Sequence, residues 1–433
     1  MTAPNGAILF NSSTGSDTTA SGLGSANVYG SGASTTGSSA VVTGIDTTGV
    51  SSGDLLWVQS SSGRQFSIIA TVDSSTQVTC DDVFANTESG RTWAIGGKRA
   101  SFDNADSRKA FQDCVSKGWE FETETNQTVN TVVSVGGGAV DNRTIVKGST
   151  GSEVITQTAN TYTFGFGDYY ASPSLDGSYI TFENLQFENT SSSKSSAYCF
   201  RVSGDYGRLH RIKLTSQSNN HQGLLLREAG HNNFSFEKCV IQYCISDGIN
   251  MNRFNLATFD SCYIANNGGY GIYSNRDIPL IRSSVIANNT SDGVYVNACN
   301  HVNNIFYANG GSGIRSFYIT PVIGCIFYSN SGYGIQYTVG QPQLSLSSNA
   351  FGANSLGATS IPNPYETNTI TLTSDPFVSA STGDFRINAD AGGGALLRAS
   401  NYALNTDTSI YPFRQYVSDP FGSGGGNVIV IED

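Results

Sequence analysis

"SCYIANNGGYGIYSN", residues 261–275, is followed twenty-two residues later by "SSVIANNTSDGVYVN", residues 283–297. An apolar pair, an asparagine and a glycine return at fixed offsets while the residues between them vary. The frame extends in both directions without a gap. Its apolar residue is Ile241, Ile264, Ile286, Phe306 and Phe327 in successive units. Three positions on come Cys244, Asn267, Asn289, Asn309 and Asn330, and four further on Gly248, Gly271, Gly293, Gly313 and Gly334. The glycine spacings are 23, 22, 20 and 21. Constant offsets inside a unit of varying length mark a tight structural segment joined by loops.

A period near 22 residues admits leucine-rich repeats and β-helices. The leucine pattern of the former does not recur. The apolar runs are short, β-branched or aromatic, and bounded by Asn and Gly, which reads as a coil of short parallel strands. Stacked coils bury a core that no single coil could form. The asparagines then form a ladder of side-chain amides from rung to rung, and the glycines are expected to supply the backbone conformation of the next corner.

These residues resemble the right-handed parallel β-helix proteins of the pectate-lyase-like superfamily. The resemblance is densest over 235–340 and extends through 119–400. "YITFENLQFENT" (179–190) and "RLHRIKLTSQSNNHQGLLLRE" (208–228) carry the same rhythm, and "DPFVSASTGDFRI" (375–387) resembles a closing coil of bacterial and phage β-helix proteins. The fold expected is all-β: a parallel β-helix solenoid with a small N-terminal β-domain and a capping helix.

Working outward, residues 1–40 read as an extended Gly/Ser/Thr-rich arm with one apolar run, Ala7–Phe10. Alternating segments over 41–100 form the small β-domain, barrel-like in pattern. "SFDNADSRKAFQDCVSKGW" reads as a helix over 101–118, capped by Asp103 or Asn104 and placed to cover the open end of the solenoid. Residues 119–400 are the β-helix, and 401–433 a C-terminal module ending in "NVIVIED".

The chain has 433 residues, 13% of them charged, with 49 Gly and a formal net charge of −11. Basic residues number 23 and form no run, so there is no electrostatic footprint for nucleic acid. No apolar run reaches the roughly 18 residues of a membrane span. The N-terminus lacks the basic and apolar regions of a secretory signal, so synthesis in a cytoplasm, with retention there or release by lysis, is expected. The 38% hydrophobic share, with 21 Tyr and 23 Phe, provides a core and argues against disorder. Cys239, Cys262 and Cys325 occupy equivalent positions and are expected as small buried reduced thiols; a Cys239–Cys262 bridge stays open. His210, His221, His231 and His301 lack metal-ligand spacing and are expected in solvent or turns. No metal or cofactor is expected.

Alternation sorts the strand after each corner glycine. Ile249, Ile272, Val294, Ile314 and Ile335 face inward; Asn250, Tyr273, Tyr295, Arg315 and Gln336 face out, with Asn275, Asn297 and Phe317 two positions on. Stacked aromatic, amide and guanidinium groups suit an extended glycan, so Tyr273, Tyr295, Arg315, Asn275 and Asn297 are the candidate carbohydrate contacts. They could equally be a stabilising sheet surface. On the other repeated strand Val240, Tyr263, Val285, Ile305 and Ile326 face out as an apolar stripe, which needs a covering loop or a second subunit. A subunit interface is the expectation. Asp247 and Asp292 stand two coils apart, about 9.6 Å by rung spacing. That is near the upper limit for an inverting glycosidase, although Ser-Asp-Gly is also an ordinary turn.

The order of β-domain, helix, β-helix shaft and C-terminal module resembles bacteriophage tailspikes. That resemblance implies a homotrimeric virion protein, attached through its N-terminal region to a tail, baseplate or capsid protein. Such a protein binds, and in many cases depolymerises, host surface polysaccharide. The alternatives are a non-enzymatic decoration or fibre protein and a polysaccharide lyase or hydrolase.

Overall fold

Strand alternation and turn spacing organise the chain as the repeat predicts, with one strand more per coil than the sequence pattern displays. The computed structural model describes residues 7–10, 29–61, 63–99, 120–123, 125–129, 133–135, 144–149, 151, 153–157, 164–166, 180–190, 198–202, 207–216, 222–227, 234–252, 257–275, 278–318, 321–338, 345–361 and 365–399. The helix expected over 101–118 and the module at 401–433 lie outside them. The chain divides into two units, Met1–Leu185 and Gln186–Asp433.

In the first unit, Tyr29–Thr35, Ser39–Thr43, Asp54–Ser60, Gly63–Ser74, Gln77–Phe84 and Glu88–Arg99 pair antiparallel in a closed ring. The first strand pairs with the second and sixth, the second with the fifth, the fifth with the fourth, the fourth with the third, and the third with the sixth. Closure leaves no exposed edge. Val42, Leu56, Trp57, Val58, Ile69, Val78, Trp93 and Ile95 are buried. The barrel begins at Tyr29, inside the stretch that reads in sequence as an extended arm. The arm's apolar run is also a strand: Ala7–Phe10 pairs in parallel with Glu120–Thr123, Ile8 opposite Phe121. Thr144–Gly148 and Ile180–Asn189 extend this parallel stacking, Val146 lying opposite both Phe121 and Phe182.

In the second unit each coil contains three short parallel strands. Phe234–Glu237, Val240–Gln242 and Ile249–Asn252 make one coil; Ala257–Asp260, Tyr263–Ala265 and Ile272–Ser274 make the next, in register. About six coils stack in this way. Inside, identical positions lie over one another. Phe306, Phe327 and Phe351 stack at 4.8 and 5.0 Å, and Phe236 lies over Phe259 at 4.7 Å. The strand opening each coil reads in sequence as loop. Its residues vary from "FSFE" to "ATFD" to "CNHV"; Phe236, Phe259, Ile281, His301, Val322 and Leu346 form one inward column in register, and the strands' first residues Phe234, Ala257, Ile278 and Cys299 are buried as well.

The asparagine ladder is present and buried. The Nδ2 of Asn267 donates to the Oδ1 of Asn289 at 2.9 Å, Asn289 to Asn309 at 3.0 Å, Asn309 to Asn330 at 2.9 Å and Asn330 to Asn354 at 2.9 Å. A second ladder runs along the corner before the middle strand. The Ser284 hydroxyl accepts from the Cys262 amide at 3.0 Å, Asn304 Oδ1 from the Ser284 amide at 3.0 Å, and Asn349 Oδ1 from the Cys325 amide at 2.9 Å. Cys239, Cys262 and Cys325 therefore belong to a polar corner. All three are free thiols, and the Cys262 Sγ donates to the Phe236 carbonyl at 3.4 Å.

The corner glycines are selected for a different reason from the one expected. The left-handed residue of each turn is the one before the ladder: Tyr243, Asn266, Asn288, Ala308 and Ser329, with φ between 50 and 62°. Gly271 instead lies against the next coil. A Cβ there would stand 2.5 Å from the Gly293 carbonyl oxygen and 2.9 Å from Asn289 Nδ2. Gly271→Ala is accordingly expected to cost about 1–3 kcal/mol through overpacking. A thermal midpoint equal to the parent's would refute the close-approach assignment.

The apolar stripe is not a free interface. Val240, Tyr263, Val285, Ile305 and Ile326 are 6% exposed or less, buried against Leu372, Phe377, Phe385 and Leu397. The motif at 375–387 forms a hairpin, Phe377–Ser379 against Asp384–Ile387, whose two phenyl rings pack edge to face at 5.1 Å. Tyr307 packs on both rings, and its hydroxyl bonds Asp375 Oδ2 at 3.0 Å. The chain covers its own stripe, which corrects the expectation that a second subunit does so. A stripe of this length would otherwise expose a continuous apolar patch.

Candidate glycan-binding face

The strand after each corner glycine alternates as required. Ile249, Ile272, Val294, Ile314 and Ile335 are fully buried. Their neighbours Asn250, Tyr273, Tyr295, Arg315 and Gln336 lie opposite one another in register, half-buried on the outer face. Tyr273 and Tyr295 stack with centroids 5.3 Å apart and planes 18° apart. The Arg315 guanidinium lies 5.6 Å from the Tyr295 centroid, within cation–π range. Phe317 meets the edge of Tyr295 at 5.4 Å. Asn297 Nδ2 donates to the Asn275 carbonyl at 2.8 Å, tying the next outward column together. The five candidate residues therefore share one face.

Sequence reasoning misses Tyr270. It stands in the column just before the corner glycines, with Asp247, Asp292, Ser312 and Tyr333, and reads as turn sequence. Its ring lies 5.4 Å from both Tyr273 and Tyr295, so three tyrosines form one platform. The Tyr270 hydroxyl is pushed up by burial and by the Asp292 charge, with Arg315 opposing.

Asp247 and Asp292 perform the turn role and retain a second oxygen. Asp247 Oδ1 accepts from the Tyr270 amide at 2.9 Å, and Asp292 Oδ1 from the Ser312 amide at 2.6 Å. The other oxygens turn toward the platform. Asp247 Oδ2 accepts from Asn250 Nδ2 at 3.3 Å, and Asp292 Oδ2 lies 3.8 Å from the Arg315 guanidinium. Burial raises both carboxyls above the ordinary range, against the hydrogen bonds that would lower them.

A second set of charges lies on the strand that opens each coil, which the sequence pattern hides. Glu237 and Asp260 are paired in register on adjacent rungs. Each is held by its own cation, Arg208 to Glu237 at 2.5 Å and Arg282 to Asp260 at 2.6 Å. This is a surface ion-pair ladder of modest energetic value. His210 lies 3.5 Å from Glu237. Among the described residues no group of three His, Cys, Asp or Glu converges to hold a metal ion.

The family described as "Right handed beta helix region" matches residues 174–351. No curated protein matches the chain. Among solved structures, the A-module of the Azotobacter vinelandii mannuronan C-5 epimerase AlgE6 is 16% identical, covering 64% of this chain and 97% of that one with a TM-score of 0.39. Pectate lyase Pel9A is 12% identical, covering 63% and 81% with a TM-score of 0.40. Tailspike protein 2 of the Escherichia coli O157:H7 bacteriophage CAB120 is 12% identical, covering 67% of this chain and 48% of that one with a TM-score of 0.36.

Proposed function

We propose that this protein is a tailspike-like component of a virus particle that binds an extended polysaccharide of the host surface along the Tyr270–Tyr273–Tyr295 face. The observation that carries this reading is the platform itself. Three phenol rings, a guanidinium and two amides repeat along the rungs of a rigid sheet, at a spacing on the order of one sugar ring. Aromatic faces cover the apolar face of a sugar, and amides and guanidinium reach its hydroxyls. A sheet scaffold pre-organises these groups, so little ordering entropy opposes binding. In this reading the N-terminal barrel is the attachment module for the tail, baseplate or capsid. The assembly is a trimer whose contacts lie outside the covered stripe.

The test is adsorption of the labelled protein to bacterial cells of a strain that the parent binds. Each aromatic contact is worth about 0.5–1.5 kcal/mol, and about 1.4 kcal/mol is tenfold in affinity. The double variant Tyr273→Ala, Tyr295→Ala is expected to adsorb at least tenfold more weakly with an unchanged circular dichroism spectrum, since Ile272 and Val294 still fill the core. A folded double variant that adsorbs like its parent would leave the face as sheet surface and favour the decoration or fibre reading.

A further inference from the structure

We infer that Asn267 and Asn309 are modification sites that the folded ladder shields. Once the chain is unfolded, each is converted to aspartate or isoaspartate by the glycine that follows it, and the shaft can no longer rebuild.

The sequence sets up the reaction. Asn-Gly occurs three times in the chain, at 5–6, 267–268 and 309–310, and two of the three are ladder positions. The ladder residues Asn289, Asn330 and Asn354 are followed instead by Thr290, Ser331 and Ser355. Glycine has no β-carbon to obstruct its backbone nitrogen as it approaches the preceding side chain. The fold admits no other residue there. A β-carbon on Gly268 would run into the Ile245 carbonyl oxygen of the preceding coil, and one on Gly310 into the Thr290 carbonyl oxygen. The ladder requires the asparagine and the crowding requires the glycine, so the reactive pair follows from the architecture.

The step balances without a cofactor. The glycine backbone nitrogen attacks Cγ of the asparagine. The N–Cγ bond forms, and the Cγ–Nδ2 bond breaks as the displaced proton leaves with ammonia. Water then opens the five-membered imide at either carbonyl, leaving aspartate or isoaspartate. One water is consumed and one ammonia released.

The folded ladder holds both reactants in other bonds. The Gly268 amide donates to the Cys244 carbonyl at 2.7 Å, and the Gly310 amide to the Asn289 carbonyl at 2.8 Å. Asn267 is 1% exposed and Asn309 fully buried. Asn267 Oδ1 accepts from the Cys244 amide at 3.1 Å, and its Nδ2 donates to Asn289 Oδ1 at 2.9 Å and to the Ile241 carbonyl at 3.3 Å. Asn309 is bonded in the same way to Asn289, Asn330 and the Ile286 carbonyl. Bringing Cγ over the glycine nitrogen breaks these bonds together, so the reaction needs an opening of the coil. After conversion the ladder has lost a donor. An aspartate at 309 turns a second oxygen on the Ile286 carbonyl and Asn330 Oδ1, and isoaspartate adds a methylene to the backbone of a turn whose length the neighbouring rungs fix.

The test ages the full chain in mildly alkaline buffer, either folded or unfolded in guanidinium chloride, and follows both asparagines by tandem mass spectrometry. Trypsin releases them in the peptides 254–276 and 283–315, and the second also contains Asn289, which threonine follows. Folded protein is expected to convert Asn267 and Asn309 at least about 100-fold more slowly than the unfolded chain. In the unfolded chain Asn309 should convert at least about tenfold faster than Asn289. Recovery of the native thermal transition on dilution should fall in step with that conversion. Chains unfolded for the same time in mildly acidic buffer, where the backbone nitrogen keeps its proton, should refold as freshly unfolded chains do. Equal rates in folded and unfolded protein overturn the shielding, and equal conversion of Asn289 and Asn309 overturns the role of the glycine. Modified chains that regain the parent's transition, or recovery lost with both asparagines intact, overturn the link between this chemistry and irreversible unfolding.

Discussion

Asn309→Ala is expected to lower the stability of the second unit by about 3–5 kcal/mol, among the largest effects of any single substitution in it. Asn309 is fully buried in the ladder. Its Oδ1 accepts from the Asn289 backbone amide at 3.2 Å and the Asn289 side-chain amide at 3.0 Å. Its Nδ2 donates to Asn330 Oδ1 at 2.9 Å and to the Ile286 carbonyl at 3.1 Å. Truncation removes all four bonds and leaves neighbours with polar groups facing a void. Each buried group so orphaned costs about 1–3 kcal/mol, and partial rearrangement keeps the sum below the arithmetic total. Asn309→Asp sharpens the test because it preserves volume and acceptor while turning the donor into a second oxygen. That oxygen faces two acceptors, so Asp should be no better than Ala although it fills the space. Urea unfolding of both variants decides the matter. An Asp variant close to the parent would mean that the ladder serves shape and not hydrogen bonding.

The ladder is legible in sequence because one residue type recurs at one offset. Asn267, Asn289, Asn309 and Asn330 stand out against variable surroundings, and the inward and outward alternation of Ile272, Tyr273, Val294 and Tyr295 follows from it. The second corner ladder is hidden because it changes chemistry from rung to rung. Cys262, Ser284, Asn304, Cys325 and Asn349 satisfy the same backbone amides or carbonyls with different atoms. The strand that opens each coil is hidden for a related reason: it is only about four residues long, and its two inward positions change from Phe234 and Phe236 to Ala257 and Phe259 to Cys299 and His301, so no residue type recurs. The charged pairs it carries, Glu237 with Arg208 and Asp260 with Arg282, are hidden with it. Sequence locates the apolar stripe correctly and assigns it the wrong partner. Val285 and Ile305 do need a cover, but sequence spacing does not reveal that a hairpin about eighty residues downstream returns along the shaft. The candidate face shows the same limit. Tyr273, Tyr295 and Arg315 follow from alternation, whereas Tyr270 joins them only through the fold of the turn.

The position where the hidden strand departs furthest from its own pattern gives a strong pH dependence of stability. Sequence spacing places His301 in solvent or a turn, yet it is completely buried in the inward column, opposite Ile281 and Val322 and edge-on to Phe306 at 5.7 Å. Neither ring nitrogen has a hydrogen-bond partner among the described residues. Burial alone pushes its pKa down to about 3, from an ordinary value of 6.5. Above pH 6.5 the imidazole is neutral in both the folded and the unfolded chain, and its titration costs nothing. Below it the unfolded chain binds a proton that the folded core refuses, so stability falls by about 1.4 kcal/mol per pH unit until the folded pKa is reached. Over the full window the loss is on the order of 4–5 kcal/mol. His301→Leu removes this titration and continues the aliphatic column. At pH 7 it should be at least as stable as the parent, since an unbonded polar ring gives way to apolar packing. The gap should then widen to about 2–3 kcal/mol at pH 4.5. Carboxylate titrations elsewhere are common to both proteins and cancel in the difference, so denaturant unfolding of the pair at pH 7.0, 5.5 and 4.5 isolates the histidine. A difference that stays flat across that range would show that the imidazole accepts its proton without leaving the fold, and the buried assignment of His301 would then be wrong.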